Sequence, residues 1–269
     1  MDILKMPFFI QSGKFVVFLA QEPQDIEAAQ RLRYDVFYKE MGASETATLV
    51  KGRDVDRFDD YAENLVVKDQ ERNVVVGTYR LLRRSGASQC GSFYTEQEFD
   101  ITPLKTVDGE ILEVSRSCVA KDYRIQAVIG LLWRGLAEYI LHYDVVYLFG
   151  CASFHGTDLS EMEHGLSYLY YNNLSPESCR TRTLEQYFEP LRRLPKDKVD
   201  LRKASQQIPA LIRGYTRLGG GVGDGIFIDY EFNTVDVCVV VDSNCIKPKF
   251  AQHYNALSEQ AGRFPLRVG

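Results

Sequence analysis

Hydrophobic and polar positions alternate along the chain in short blocks of differing period. Phe15–Ala20 is an unbroken apolar run, the pattern of a buried strand. Pro23 opens a helix with acids early and Arg31, Arg33 and Lys39 late, the order that the helix dipole favours. Gly42–Phe58 is polar and reads as a loop, with Asp54 and Asp56 near its end. Asn64–Lys68 and Asn73–Leu82 read as strands joined by the polar turn Asp69–Arg72. Ser85–Asp108 is an irregular connection containing Pro103, and Ile111–Val119 is the next strand. After the polar turn Lys121–Arg124, Ile125–Tyr139 is a helix apolar on nearly all sides, as a core helix is. Val145–Phe149 has the composition of a buried strand, and Asp158 begins a helix that ends near Asn172. A basic stretch from Arg180 to Arg217 is broken by Pro190, Pro195 and Pro209. A glycine turn, Gly219–Gly225, precedes the late strands Ile226–Asp229 and Val235–Asp242. The order β-α-β-β-β-α-β-α followed by β-β predicts one α/β mixed sheet flanked by helices, in a single domain. Its core spans about 15–173, with a helical and β-hairpin extension over about 174–269.

Composition narrows the function. With 269 residues, 45% hydrophobic and 26% charged, the chain is long enough to bury a large core without staples. Its formal charge of −5 argues against a general nucleic-acid binder. No apolar run reaches the roughly 18 residues that span a bilayer; Val128–Leu141 is interrupted by Arg134 and Glu138. The apolar N-terminus is broken at Gln11–Lys14 before a signal-peptide core forms, so a cytoplasmic protein is expected. The six cysteines show no CxxC spacing and are expected as free thiols. Cys118 and Cys151 read as small buried residues rather than nucleophiles. Cys151 and His155 lie four apart with no second pair to complete a metal site, and no metal is expected.

Chemistry-bearing residues concentrate between Arg31 and Val119. Arg33-x-x-x-Phe37 lies on the first helix, Asp54-x-Asp56-x-x-Asp59 in the acidic loop, Arg80-Leu81-Leu82 at the end of a strand, and Glu113-x-Ser115-Arg116 in the strand before the apolar helix. The Asp-x-Asp pattern lacks the glycine and distal glutamate of a calcium loop. Recognition of an amine, anchoring of the loop, or a purely structural part are all open to these three aspartates. Glu113 and Arg116 sit three apart, on opposite faces of an ideal strand, so a bulge is needed to bring them together.

This series resembles the acyl-homoserine-lactone synthases, which sit within the GNAT (N-acyltransferase) fold. Gly42 and Ala43 stand where those synthases carry a tryptophan, and Ser117 where they carry a phenylalanine. Further segments are similar to the ornithine-lipid N-acyltransferases, also called hemolysin-like acyltransferases. They are Phe93-Tyr94-x-x-x-Glu98-Phe99-Asp100, Leu148–Asp158 with its Phe-Gly-Cys-Ala-Ser-Phe block, Ile208–Gly219, and Phe232-Asn233-x-x-Asp236-Val237. The similarity runs from about Arg31 to His253.

The resemblance implies a GNAT-like fold and transfer of a 3-hydroxyacyl chain from acyl carrier protein to the α-amine of ornithine, giving lyso-ornithine lipid. Another amino acid as acceptor, lactone synthesis, or a non-catalytic membrane-active protein are its alternatives. Arg33, Phe37, Asp54, Asp56, Asp59, Arg80 and Arg116 are the implied substrate-binding residues. Glu113 is the expected general base, either direct or through water, and it is also a candidate partner of Arg80 or Arg116 in a buried ion network. The donor is acyl-phosphopantetheine on the carrier protein, with no further cofactor. The turn Tyr123–Gly130 lacks the close-packed glycines that usually cradle coenzyme A pyrophosphate. Arg83, Arg84, Lys121 and Arg124 are expected to meet the acidic carrier. The basic run from Arg192 to Lys203 is either an ordinary solvated face or a peripheral contact with anionic lipid.

Overall fold

The structure is a computed structural model and describes residues 8–44 and 52–244. Eighteen strands and α-helices, with short 3-10 turns between them, make up the described chain. A nine-stranded mixed sheet runs in the order β1 (Phe9–Ser12), β2 (Phe15–Ala20), β3 (Glu63–Asp69), β4 (Val74–Arg83), β6 (Glu110–Val119), β7 (Val145–His155), β11 (Thr234–Asp242) and β10 (Phe227–Asp229). The short β9 (Gly221–Val222) also pairs with β11. All of its pairings are antiparallel except β6 with β7. A separate two-stranded ribbon joins β5 (Phe99–Asp100) to β8 (Arg182–Thr183).

The mixed sheet expected from the element order is therefore present, and β9, β10 and β11 of the chain's last third add to its far edge. Several elements exceed their sequence bounds. The polar residues Gln11 and Ser12 belong to β1, because Gly13 adopts φ 58 and turns the chain into a hairpin with β2. β7 continues through the small residues Gly150–Ser153, whose pairing with β11 outweighs their weak strand propensity. The connection read as irregular holds α2 (Arg84–Cys90), β5 and α3 (Thr102–Lys105). Of the predicted loop Gly42–Phe58, residues 45–51 lie outside the described residues, as does Cys245.

Alternation along the strands separates two layers. Val17, Leu65, Tyr79, Leu112 and Leu148 face α4 (Gln126–His142), α5 (Glu163–Asn173) and α7 (Ala210–Arg217) in the main core. Val16, Phe18 and Val66 on the opposite face pack with Ala29 of α1 (Pro23–Tyr34). On that same face Leu82, Ile111, Phe149 and Cys238 pack with Phe58, Phe93 and Phe99. α1 runs on into a π-helical turn, Asp35–Glu40, that carries Phe37 toward the sheet centre.

Two local features open the middle of the sheet. β6 and β7 pair in parallel only from Glu110 to Glu113 and from Val145 to Phe149. At the end of that pairing Gly150 passes so close to the Val114 carbonyl that a Cβ would lie 2.1 Å from the oxygen. Beyond it β6 is held only by β4 and β7 only by β11. In addition, the β4–β6 register moves from Thr78–Cys118 to Arg80–Ser115, so β6 gains a residue there. Arg116 occupies that extra position with φ 51. Ile111 to Ser115 keep strict alternation, and the bulge then returns Arg116 to the face that bears Glu113. No described helix is long and apolar enough to cross a membrane.

Candidate active site

The acidic loop and the three arginines close into a ring. Arg33 Nε lies 2.8 Å from Asp54 Oδ2, and its Nη2 2.7 Å from Asp59 Oδ1. Arg80 Nη1 lies 2.6 Å from Asp56 Oδ1 and 3.3 Å from Asp59 Oδ2. Arg116 Nε lies 3.2 Å from Asp54 Oδ2, and its Nη2 3.4 Å from Asp56 Oδ2. Each aspartate thus bridges two arginines, and each arginine grips two aspartates. Arg33 and Arg80 have no solvent exposure, so their charges depend on these partners. Burial opposes ionisation of Asp56, yet Arg80 and Arg116 outweigh it and hold its carboxyl down to about 2. The loop is shaped to fit: Asp56 accepts the Phe58 N–H at 2.9 Å and Asp59 accepts the Asp56 N–H at 3.0 Å.

Aromatic rings complete the setting. Arg80 lies over Phe58 and Tyr94, and Arg116 lies between Tyr94 and Phe232, 4.8 and 4.7 Å from their centroids. Phe37 meets Phe232 edge to face.

Glu113 takes no part in the ring. It is 1% exposed, and its two oxygens accept the backbone N–H groups of Tyr94 at 3.0 Å and Thr95 at 2.6 Å. Burial raises its pKa against the pull of those bonds. The alternative role as an ion-pair partner of Arg80 or Arg116 is not realised, although the bulge between Glu113 and Arg116 is. Glu113 instead fixes the turn that carries Tyr94 beneath Arg116.

A cavity of about 580 Å³ fills the gap between β6 and β7. Its two sides are the free edges, Val114–Val119 and Gly150–Ser153, with Leu148 and Phe149 lining it from the last paired positions of β7. One end is apolar, with Leu132, Trp133, Leu211, Tyr215, Val239 and Val241. The other bears Arg116, Tyr94, Phe232, Asp229 and Asp236. Of the residues expected to bind substrate, Phe37 and Arg116 line this cavity, whereas Arg33, Arg80, Asp54, Asp56 and Asp59 stand behind them.

The four basic residues expected to meet a carrier protein do not form one face. Arg83 pairs across from Leu112 near the start of β6, while Lys121 and Arg124 follow its end. Seven residues of strand, roughly 20 Å, separate the two groups. Arg83 bonds to the Tyr139 hydroxyl and pairs with Glu63, and Arg84 donates to the carbonyls of Lys105, Val107 and Gly109. Arg124 alone of the four lines the cavity, with Glu40 held bidentately at 2.7 and 2.8 Å.

The thiols lining the cavity are poor nucleophiles. Burial pushes Cys118 up to about 12 and Cys151 well above its ordinary value. Sequence reasoning assigned no role to Tyr94, Glu98, Asp229, Phe232 or Asp236. All but Asp229 lay within the segments that carry the family resemblance, and that was the available signal.

Comparison with known proteins identifies the family and the fold. Residues 32–134 match the acetyltransferase (GNAT) domain family. The chain is 39% identical over 250 residues to an L-ornithine N(alpha)-acyltransferase of Rhodobacter capsulatus, covering 91% of this chain and 96% of that one. It is 37% identical over 260 residues to that of Brucella abortus, covering 94% and 92%. In three dimensions it matches FeeM, an N-acyl amino acid synthase from uncultured soil microbes, with a TM-score of 0.50 and 11% identity, over 86% of this chain and 93% of that one.

Glu113→Gln tests what Glu113 does. A glutamine would set an NH2 donor against one of the two backbone N–H groups, leaving a buried amide unpaired. The expected result is a loss of about 1–3 kcal/mol of stability, read as a lower unfolding midpoint, together with a loss of turnover. Lost turnover at an unchanged midpoint would instead mark Glu113 as the group that moves the proton.

Proposed function

The chain belongs to the L-ornithine N(alpha)-acyltransferase family, and from that premise we propose that it transfers a 3-hydroxyacyl chain from acyl carrier protein to the α-amine of L-ornithine, giving lyso-ornithine lipid. The observation that carries this reading is the single cavity that is apolar at one end, charged at the other, and bounded between them by unpaired strand edges. An acyl chain suits the first end and an amino acid the second. The thioester would then lie between them, where backbone N–H groups freed by the splay of β6 and β7 can meet the developing oxyanion.

In this reading Arg116 receives the acceptor's carboxylate, framed by Tyr94 and Phe232 and lined up by the ring of aspartates. Arg33, Arg80, Asp54, Asp56 and Asp59 act through Arg116, and Phe37 walls the same end of the cavity. The α-amine attacks the thioester carbon, the carbon–sulfur bond breaks, and the carrier's thiol leaves. Reaction of an ammonium with a thioester to give amide and thiol releases one proton overall. For Glu113 to accept it directly, Glu113 must first give up one of its two N–H partners.

The donor side has support at the other mouth. Val119, Arg124 and Ile129 line the cavity there. Ile125 and Ile129 are exposed beside Lys121, a surface that suits an acidic carrier with an apolar ridge. Ile125 caps α4 without a side-chain bond, and with the Ile125 and Val128 N–H groups already bonded to carbonyls, those of Gln126 and Ala127 are free to take a single phosphodiester. No glycine cradle for a pyrophosphate stands beside it, since none of residues 123–129 is glycine. 3-Hydroxyacyl carrier protein is therefore expected to exceed the matching acyl-coenzyme A in kcat/KM by at least about tenfold, with the product of ornithine and not of lysine or glutamine dominant by mass. Equal kcat/KM for the two donors would contradict the carrier-protein assignment.

The product is amphipathic, and a peripheral membrane contact would ease its release. Arg192, Arg193, Lys196, Lys198, Arg202 and Lys203 are all exposed, and Leu201 among them is 68% exposed. Attraction of about 1 kcal/mol for each basic residue near an anionic surface suffices for reversible binding. Binding to phosphatidylglycerol vesicles at low salt is expected, lost at high salt and in a variant with Arg192, Arg193, Lys196 and Lys198 replaced by Ser. A wild-type protein that ignores such vesicles would make the run an ordinary solvated face.

A further inference from the structure

Beside the closed ring lies a second acidic group that the ring does not use. Glu98, Asp229 and Asp236 each offer a carboxylate oxygen within 4.8 Å of the others. They come from three separate elements: the segment before β5, the end of β10 and the start of β11. Asp229 and Asp236 line the charged end of the cavity with Arg116. Glu98 is 3% exposed and Asp236 5% exposed. Glu98 Oε2 and Asp236 Oδ1 are buried with no hydrogen-bond partner. Among the described residues none of the three is ion-paired with a lysine or arginine, whereas the three arginines nearby are already matched by Asp54, Asp56 and Asp59.

Buried carboxylate oxygens without partners are costly, and a cation is the ligand that satisfies them. Resting on the acyl-transfer reading above, we propose that Glu98, Asp229 and Asp236 form a subsite for the side-chain ammonium of the acceptor amino acid. Arg116 and this trio then hold the two ends of a dibasic amino acid, leaving its α-amine directed at the gap between β6 and β7. An ammonium has three N–H donors, one for each carboxylate. Burial, then the neighbouring Asp229, pushes Asp236 up to about 6, and burial with Asp236 and Asp229 raises Glu98 well above its ordinary value. Asp229 also accepts the N–H groups of Glu231 and Phe232, both at 2.8 Å, so the turn that carries the Phe232 ring is tied to the same subsite.

The test compares L-ornithine with L-norvaline, which has the same carbon chain and no side-chain amine. Calorimetric titration of the full-length protein, with a non-hydrolysable acyl-pantetheine present, should show ornithine binding at least about tenfold more tightly than norvaline. Asp236→Asn and Glu98→Gln should each bring ornithine down toward norvaline. Both variants keep the size of the side chain and remove a negative charge from a buried cluster that no lysine or arginine pairs with, so their unfolding midpoints should hold or rise, which separates lost recognition from lost fold. Equal affinity of the wild type for the two ligands, absence of binding of both included, overturns the subsite. So does calcium or magnesium uptake that Asp236→Asn abolishes while ornithine and norvaline stay indistinguishable. Acyl transfer is assayed in parallel. Selective ornithine binding without transfer would overturn the acyltransferase reading and leave the subsite standing.

Discussion

Burying two arginines at the centre of a protein is possible only if every charge is answered, and the alternating ring of Arg33, Arg80 and Arg116 with Asp54, Asp56 and Asp59 is that answer. Such a network contributes little net stability relative to apolar packing, because desolvation offsets much of the attraction. What it supplies is position. It ties the acidic loop to α1, β4 and β6 at once, and it sets Arg116 against Tyr94 and Phe232 at the polar end of the cavity. Removing one member leaves an unanswered buried charge, so the six residues act as a unit and not as six separate contacts with substrate.

The backbone supplies the complementary half of the design. The bulge at Arg116 returns its side chain to the face of Glu113 and Arg80. Immediately beside it, the separation of β6 from β7 leaves two strand edges unpaired around a cavity. One face of the sheet carries the apolar helices α4 and α7, the other the charged loop and the Tyr94–Glu98 segment. An acyl chain and an amino acid can thus approach one carbonyl from chemically different surroundings, without a covalent enzyme intermediate.

Local patterns in the sequence specify the strands and helices well where burial is regular, as at Phe15–Ala20, Asn64–Lys68 and the apolar helix. They understate β7, because Gly150–Ser153 is held by β11 and needed for close approach, two conditions set by partners distant in sequence. Spacing alone also indicates the need for a bulge between Glu113 and Arg116. The partners in the ring are not legible from spacing. Arg-x-x-x-Phe and Asp-x-Asp-x-x-Asp name the charged groups, but only the fold shows that they consume one another. Glu113 shows the converse: a carboxylate suited to catalysis by residue type is taken by two backbone N–H groups 18 and 19 residues away. Asp229 and Asp236 join Glu98 only through the β10–β11 hairpin at the far edge of the sheet.

Two sets of carboxylates therefore face different tasks, one neutralising arginines and one left for a cation. A crystal structure with L-ornithine and a non-hydrolysable acyl-pantetheine bound tests this division most directly. The account predicts the side-chain ammonium among Glu98, Asp229 and Asp236, the carboxylate on Arg116, and the ring of Asp54, Asp56 and Asp59 undisturbed. An ammonium inserted between the loop aspartates and the arginines, with the trio unliganded, would contradict it.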